Sequence, residues 1–223
     1  LVAAGLMLTM YSDESHAAAR RYLARAQAMT TGANAREQAW LAAIKSWIDG
    51  DPDRSAATFE KIVAGWPRDL LAAKLAQIHA FNRGDSPGML CLGLAGAHAA
   101  PEVPQAHGML AFSYEQCHLL AQAEQSARRA LAMTPREPWA QHALAHVMLT
   151  EGRLREGAAF LHAEAAGWRG LTSFMRTHNA WHLALFHLEL GEHEAALALY
   201  DGEVWGVDKS YSQDQVGAVS LLA

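Results

Sequence analysis

GMLAFSYEQCHLLAQAEQSARRALAMTP, from Gly108 to Pro135, reads as two helices joined at a tight turn and stopped by a proline. Small and apolar residues fall three and four apart on both sides of His118, the pattern of an amphipathic helix pair. The same punctuation recurs outward in both directions. Gly50, Gly84, His118 and Gly152 stand 34 residues apart in every case, and Gly191 follows 39 after the last. Pro67, Pro101 and Pro135 keep the same 34-residue step. Each glycine marks the turn between a first and a second helix, where positive φ is cheap, and each proline marks the stop after the second. Ala43, Ala111, Ala145 and Ala184 each stand seven residues before a turn position, so a small side chain occurs where the paired helices cross.

This period, with its small-residue, Gly and Pro positions, is the signature of the tetratricopeptide repeat. Leu110, Ala111, Tyr114, Ala123, Ala127, Ala130 and Pro135 occupy its usual slots, and His118 replaces the usual turn glycine. Each unit exposes an apolar face that only the next unit covers. The expected fold is therefore all-α: a tetratricopeptide-repeat right-handed superhelix of antiparallel helix pairs with one concave side, forming a single domain over residues 1–223. Five units are countable from Ala35, with half of one before them, in which Ser12 caps a helix running to about Met29. LVAAGLMLTM reads as the remnant of a helix and DQVGAVSLLA as the start of another first helix, so material is expected to be missing at both ends. The five extra residues of the fourth unit lie in AEAAGWRGLTSFMRT. Gly167 and Gly170 make a loop there, and Trp168, Leu171 and Phe174 are expected to fold it over the groove mouth as a lid.

Composition excludes several partners. The net charge is −5, with Lys and Arg interspersed among Asp and Glu, which leaves no basic footprint for nucleic acid or anionic lipid. The apolar opening lacks the length of a membrane span and the parts of a signal peptide. Cys91 and Cys117 belong to no paired-cysteine motif, so a reducing, cytoplasmic setting is expected, with both as small core residues. A homo-oligomer is left open.

Function concentrates in two helices. PWAQHALAHVMLT, Pro138 to Thr150, carries His142 and His146; THNAWHLALFHLEL, Thr177 to Leu190, carries His178 and His182. Residues four apart share a helical face. In this repeat class the first helices line the inside. Counting back from the turns places Phe112 and Glu115, then Trp139, His142 and His146, then His178 and Trp181 on inward slots, with His182 one step round. The same count puts Glu37, Trp40, Ile44 and Trp47 inward, so the wall is expected to continue as Trp and Glu. His187 is expected in the core, bonded to a backbone carbonyl; His16, His79, His98, His118, His162 and His193 read as structural, and His107 stays undecided.

An i,i+4 pair of neutral imidazoles is how one helix offers two nitrogens to a divalent metal such as Zn, so His142, His146 and His178 are candidate ligands. HALAH, however, lacks the Glu of the HExxH pattern, and the sequence favours a polar, hydrogen-bonded groove over a metal centre. Glu115 reads as a general base, a metal ligand or its outer partner, or an exposed carboxylate.

The run YEQCHLLAQAEQSARRALAMTPREPWAQHALAHVMLTEGRLREG, followed by THNAWHLALFHLELGEHEAALALYD, resembles the tetratricopeptide repeat protein 38 family, whose members carry AFxLEE, WAxHAxAHV and HNxWHLAL helices. The likeness spans about Arg68 to Asp201. It implies that Trp139, His142, His146, His178, Trp181 and His182 form a shared feature of that family, and it implies no activity. Here AFSYEQ stands for AFxLEE, so Glu115 is kept and Gln116 replaces the second acid.

Two functions follow as expectations. One is a scaffold binding a small molecule or peptide in a concave groove lined by Phe112, Trp139, His142, His146, His178, Trp181 and His182. The other is an enzyme, a hydrolase or lyase, working through Glu115, His142, His146 and His178 with or without a metal.

Overall fold

The computed structural model describes residues 1–209 and 211–223. Its chain divides into two compact units, Leu1–Glu102 and Val103–Ala223. Among the described residues all regular structure is helical, as the 34-residue recurrence requires.

The first unit holds α1 (Val2–Leu8), α2 (Asp13–Gln27), α3 (Ala35–Ile48), α4 (Pro52–Gly65), α5 (Leu70–Asn82) and α6 (Ser86–Ala99). The second holds α7 (Pro104–Gln116), α8 (Leu120–Met133), α9 (Pro138–Thr150), α10 (Leu154–Glu164), α11 (Ser173–Glu189), α12 (His193–Leu199) and α13 (Ser212–Ser220). A short 3₁₀ segment, Ala165–Gly170, precedes α11, and a π turn, Tyr200–Val204, continues α12.

The turns sit where the glycines recur. Gly50, Gly84, Gly152 and Gly191 have φ between 70° and 83°, and His118 adopts 57° at the equivalent place, a left-handed conformation that a non-glycine residue reaches only at a cost. Helix starts are capped chemically. Asp51 and Asp85, each just after a turn glycine, accept from the backbone N–H of Arg54 and Gly88 at 3.0 and 2.9 Å. A cap of this kind is worth about 1 kcal/mol. Ser12 likewise caps α2, which ends at Gln27.

Packing follows the small residues. Ala43, Ala111, Ala145 and Ala184 are all fully buried, which lets the paired helices approach closely. Gly157 of α10 lies against the ring of Phe186 in α11. A Cβ there would fall 2.9 Å from Cε2 and closer still to two other ring atoms.

Three expectations are corrected here. Trp40 and Trp47 belong to the core of the first unit, 5% and 8% exposed. Trp40 meets Phe59 edge-on at 5.2 Å and donates from Nε1 to Asp69 Oδ2 at 2.7 Å, while Trp47 contacts the His79 ring at 4.3 Å. The turn-counting rule knows nothing of α1, which packs on α3 and brings Gly5 near Trp40. Glu37 instead completes a capping box with Asn34. The cysteines are not core residues either: Cys91 is exposed on α6, and Cys117 is half-buried at the end of α7. Finally, Trp168 does not fold over the groove mouth. Trp168 is 4% exposed and donates from Nε1 to Gln141 Oε1 at 2.9 Å, which fastens the segment to α9. Among the described residues, no helix is long and apolar enough to cross a membrane.

Candidate functional site

In the second unit the first helices α7, α9 and α11 pack side by side. α9 starts at Pro138, whose missing N–H costs nothing in a first turn, and is capped by the buried Glu137 carboxylate, which accepts from the Ala140 N–H. Its Ala140, Ala143 and Ala145 are fully buried. Small residues on this face, with Ala180 and Ala184 on α11, bring the helices close enough for their histidines to touch.

The imidazoles converge. His142 Nε2 lies 3.0 Å from His178 Nε2 and 3.0 Å from His146 Nε2. The His182 ring centroid is 4.4, 4.7 and 5.0 Å from those of His146, His178 and His142. One nitrogen from each of the four rings lies within 4.8 Å of every other. His182, expected one step round the helix, is in fact the floor of the cluster at 2% exposure, and neither of its ring nitrogens has a hydrogen-bond partner among the described residues.

Glu115 enters from α7. Its Oε1 is 3.2 Å from His146 Nδ1, and its Oε2 accepts from Gln116 Nε2 at 2.7 Å. The amide at 116 thus supports the carboxylate it stands beside. Burial works to raise the Glu115 carboxyl, but the hydrogen bond and charge of His146, with help from Gln116 and His118, hold it below the ordinary value. Burial, and then the neighbouring His146, push His178 down to about 4. His182 is lowered well below the usual range by burial, then by His146 and His178. Both rings are neutral near pH 7, with lone pairs available.

Aromatic rings frame the cluster. Phe112 is 5.3 Å from His142, and Trp139 meets the same ring edge-on at 5.7 Å. Phe174 and Trp181 each stack on His178, at 5.1 Å and 18° and at 5.4 Å and 6°. Beside this stack lies a cavity of about 390 Å³, walled by Phe174, His178 and Trp181 of α11 and by Gln213, Val216 and Gly217 of α13. Trp181 Nε1 donates to Ser220 Oγ at 2.9 Å, tying the two walls together.

The eight candidate site residues of the second unit therefore meet: Phe112, Glu115, Trp139, His142, His146, His178, Trp181 and His182. Phe174, expected at the groove mouth with Trp168 and Leu171, does reach the site, where it stacks on His178 from one turn before it on the same helix. His187 is buried as expected, but its partners differ: Nδ1 faces Glu192 Oε2 at 2.7 Å and Nε2 faces His162 Nε2 at 2.9 Å. Those side chains come from neighbouring elements that a carbonyl-partner rule does not consider.

Solved structures share this architecture. A thermophilic tetratricopeptide-repeat protein of Thermus thermophilus superposes with a TM-score of 0.67 at 19% identity, over 84% of this chain and 99% of that one. A tetratricopeptide-repeat protein of Parabacteroides merdae gives 0.63 at 16% identity, over 93% and 77%. MamA of Desulfovibrio magneticus gives 0.53 at 19%, over 70% and 88%. No protein-family model matches the chain. At these identities the likeness shows the tetratricopeptide-repeat fold and nothing finer.

Proposed function

We propose that the second unit is a ligand-binding tetratricopeptide-repeat module that takes a small molecule, or one flat side chain of a peptide, in the hollow between α11 and α13. The observation that carries this reading is the cavity of about 390 Å³ against the Phe174–His178–Trp181 stack. That volume lies in the range of small-molecule sites, and stacked rings suit a planar apolar body. Ser212, Gln213 and Ser220 are polar residues of the cavity's lining. Preformed helices lower the ordering cost of binding. A reducing, cytoplasmic setting fits Cys91 and Cys117, neither of which is in a disulfide.

The test uses indole and benzimidazole as probes in ligand-detected NMR. Saturation transfer is expected with the wild-type chain and is expected to vanish in Val216→Arg. Val216 is 70% exposed, so the change fills the hollow without disturbing the core. Equal signals from both proteins, or none from either, would sink the proposal.

A second reading, an enzyme using Glu115, His142, His146 and His178, is favoured by the carboxylate–imidazole contact of Glu115 with His146, which fixes one tautomer as acid–base catalysis requires. Hydrolysis of p-nitrophenyl acetate that falls in His146→Gln supports it; identical rates remove it.

A further inference from the structure

We infer that His142, His146, His178 and His182 bind a single divalent transition-metal ion, with Glu115 as the outer carboxylate that orients His146. The inference rests on the cluster alone and holds whether or not the hollow takes a ligand.

Counting protons shows why. His142 Nε2 is within hydrogen-bond distance of two other imidazole nitrogens, both at 3.0 Å. A neutral ring nitrogen has either one proton or one in-plane lone pair. If His142 Nε2 bears the proton, it satisfies one neighbour and turns the same N–H toward the second. If it bears the lone pair, it can accept well from one neighbour only. No assignment of protons satisfies all three nitrogens. A cation at their centre does, because every ring then offers a lone pair to one acceptor.

The surroundings agree with that assignment. His146 Nδ1 faces a carboxylate at 3.2 Å, so a proton sits on Nδ1, and in the neutral ring the lone pair is then on Nε2 and points into the cluster. An imidazole whose outer N–H is held by a carboxylate is the usual state of a metal-bound histidine. His182 supplies the independent sign: a ring at 2% exposure, 4.4–5.0 Å from the other three centroids, with neither nitrogen hydrogen-bonded to a described residue. Buried polar groups are almost always partnered, and coordination would give this ring its partner.

The dimensions fit with small side-chain adjustment. Metal–nitrogen bonds of about 2.0–2.1 Å in a tetrahedron place the nitrogens about 3.3 Å apart. The two 3.0 Å separations would open slightly, and the widest, up to 4.8 Å, would close by rotation of the rings. Among the described residues this is the one cluster of three or more metal-capable side chains. An all-imidazole set selects Zn(II), Co(II), Ni(II) or Cu(II) over Mg(II) and Ca(II), which require oxygen ligands. The absence of an HExxH glutamate, which argued against a metal in the sequence, bears on a protease mechanism and not on ligation.

Untagged, chelator-treated protein titrated with CoCl₂ and ZnCl₂ tests this. Expected are one equivalent of Co(II) bound with the intense visible bands of a four-coordinate nitrogen site, displacement of Co(II) by Zn(II), and no response to MgCl₂. His146→Gln, at the more exposed edge of the cluster, should abolish the visible bands. Glu115→Ala should weaken binding by about 10–100-fold, with partial recovery in Glu115→Gln, whose amide oxygen still accepts from His146. His162→Ala should bind as wild type. Failure of the folded wild-type chain to bind stoichiometrically, or unaltered bands in His146→Gln, overturns the inference.

Discussion

Replacing His182 by leucine is expected to stabilise the protein in the presence of a chelator. The ring is 2% exposed and its N–H and lone pair are both without a partner among the described residues. Leaving one buried polar atom unsatisfied costs about 1–3 kcal/mol, so the pair costs about 2–6 kcal/mol. Leucine has nearly the volume of histidine, and a swap of matched volume costs under about 1.5 kcal/mol through imperfect shape. The net gain is about 1–4 kcal/mol. For a chain of 223 residues this corresponds to a rise in Tm of roughly 2–16 °C. The assay is thermal unfolding followed by circular dichroism in EDTA at pH 7.5. Because repeat arrays unfold in parts, amide exchange of α11 is measured beside it. With Zn(II) added, the order should reverse: the wild type gains stability and His182→Leu does not. A variant melting 2 °C or more below wild type in EDTA would show that the ring nitrogens are satisfied in solution, and the reasoning from unpaired imidazoles would fail.

Two further outcomes concern the scaffold. His79 is 3% exposed, with Nε2 3.1 Å from Ser55 Oγ, and burial, then Arg83, bring it down to about 4 against the opposing pull of Asp53. Its folded pKa is depressed below the unfolded 6.5, so the unfolded chain takes up the proton first. The contribution is whole above about pH 6.5 and is lost as pH falls toward about 4, by ~3 kcal/mol at most. Urea midpoints measured from pH 7.5 to 4.5 should fall less steeply in His79→Leu; an unchanged slope removes His79 as the cause. Gly157→Ala drives a methyl group into the buried Phe186 ring, an overpacking of about 1–3 kcal/mol that outweighs the ~1 kcal/mol alanine gains in a helix. Thermal melts should show a loss that Phe186→Leu, added to it, largely restores.

Backbone requirements were the most legible part of this chain. A left-handed turn every 34 residues needs glycine or a tolerant substitute, and the φ values at Gly50, Gly84, His118, Gly152 and Gly191 agree with that demand. The helix faces of His142, His146 and His178 were equally readable, since 3.6 residues per turn fixes them. Pairings across the fold were not. Trp40 and Trp139 occupy neighbouring repeat slots, yet Trp40 is sealed by α1 and by Asp69, 29 residues away. The meeting of His146 with Glu115, and of Trp168 with Gln141, depends on which side chain a neighbouring helix presents. His182 shows the limit of slot counting. A residue one step off the inward line becomes the base of a cluster when the adjoining helix contributes rings on the same side.

Glu115, His142 and His178 come from the first helices of three successive repeats. In a solenoid each repeat touches only its neighbours, so a bond spanning several of them changes local compliance and leaves distant repeats as they were. An ion held there would act as a rivet through α9 and α11, with α7 braced against it. Under tension, an array so fastened would part first at its unriveted repeats, and the loaded state would register as a stiffer spring with an unchanged contour.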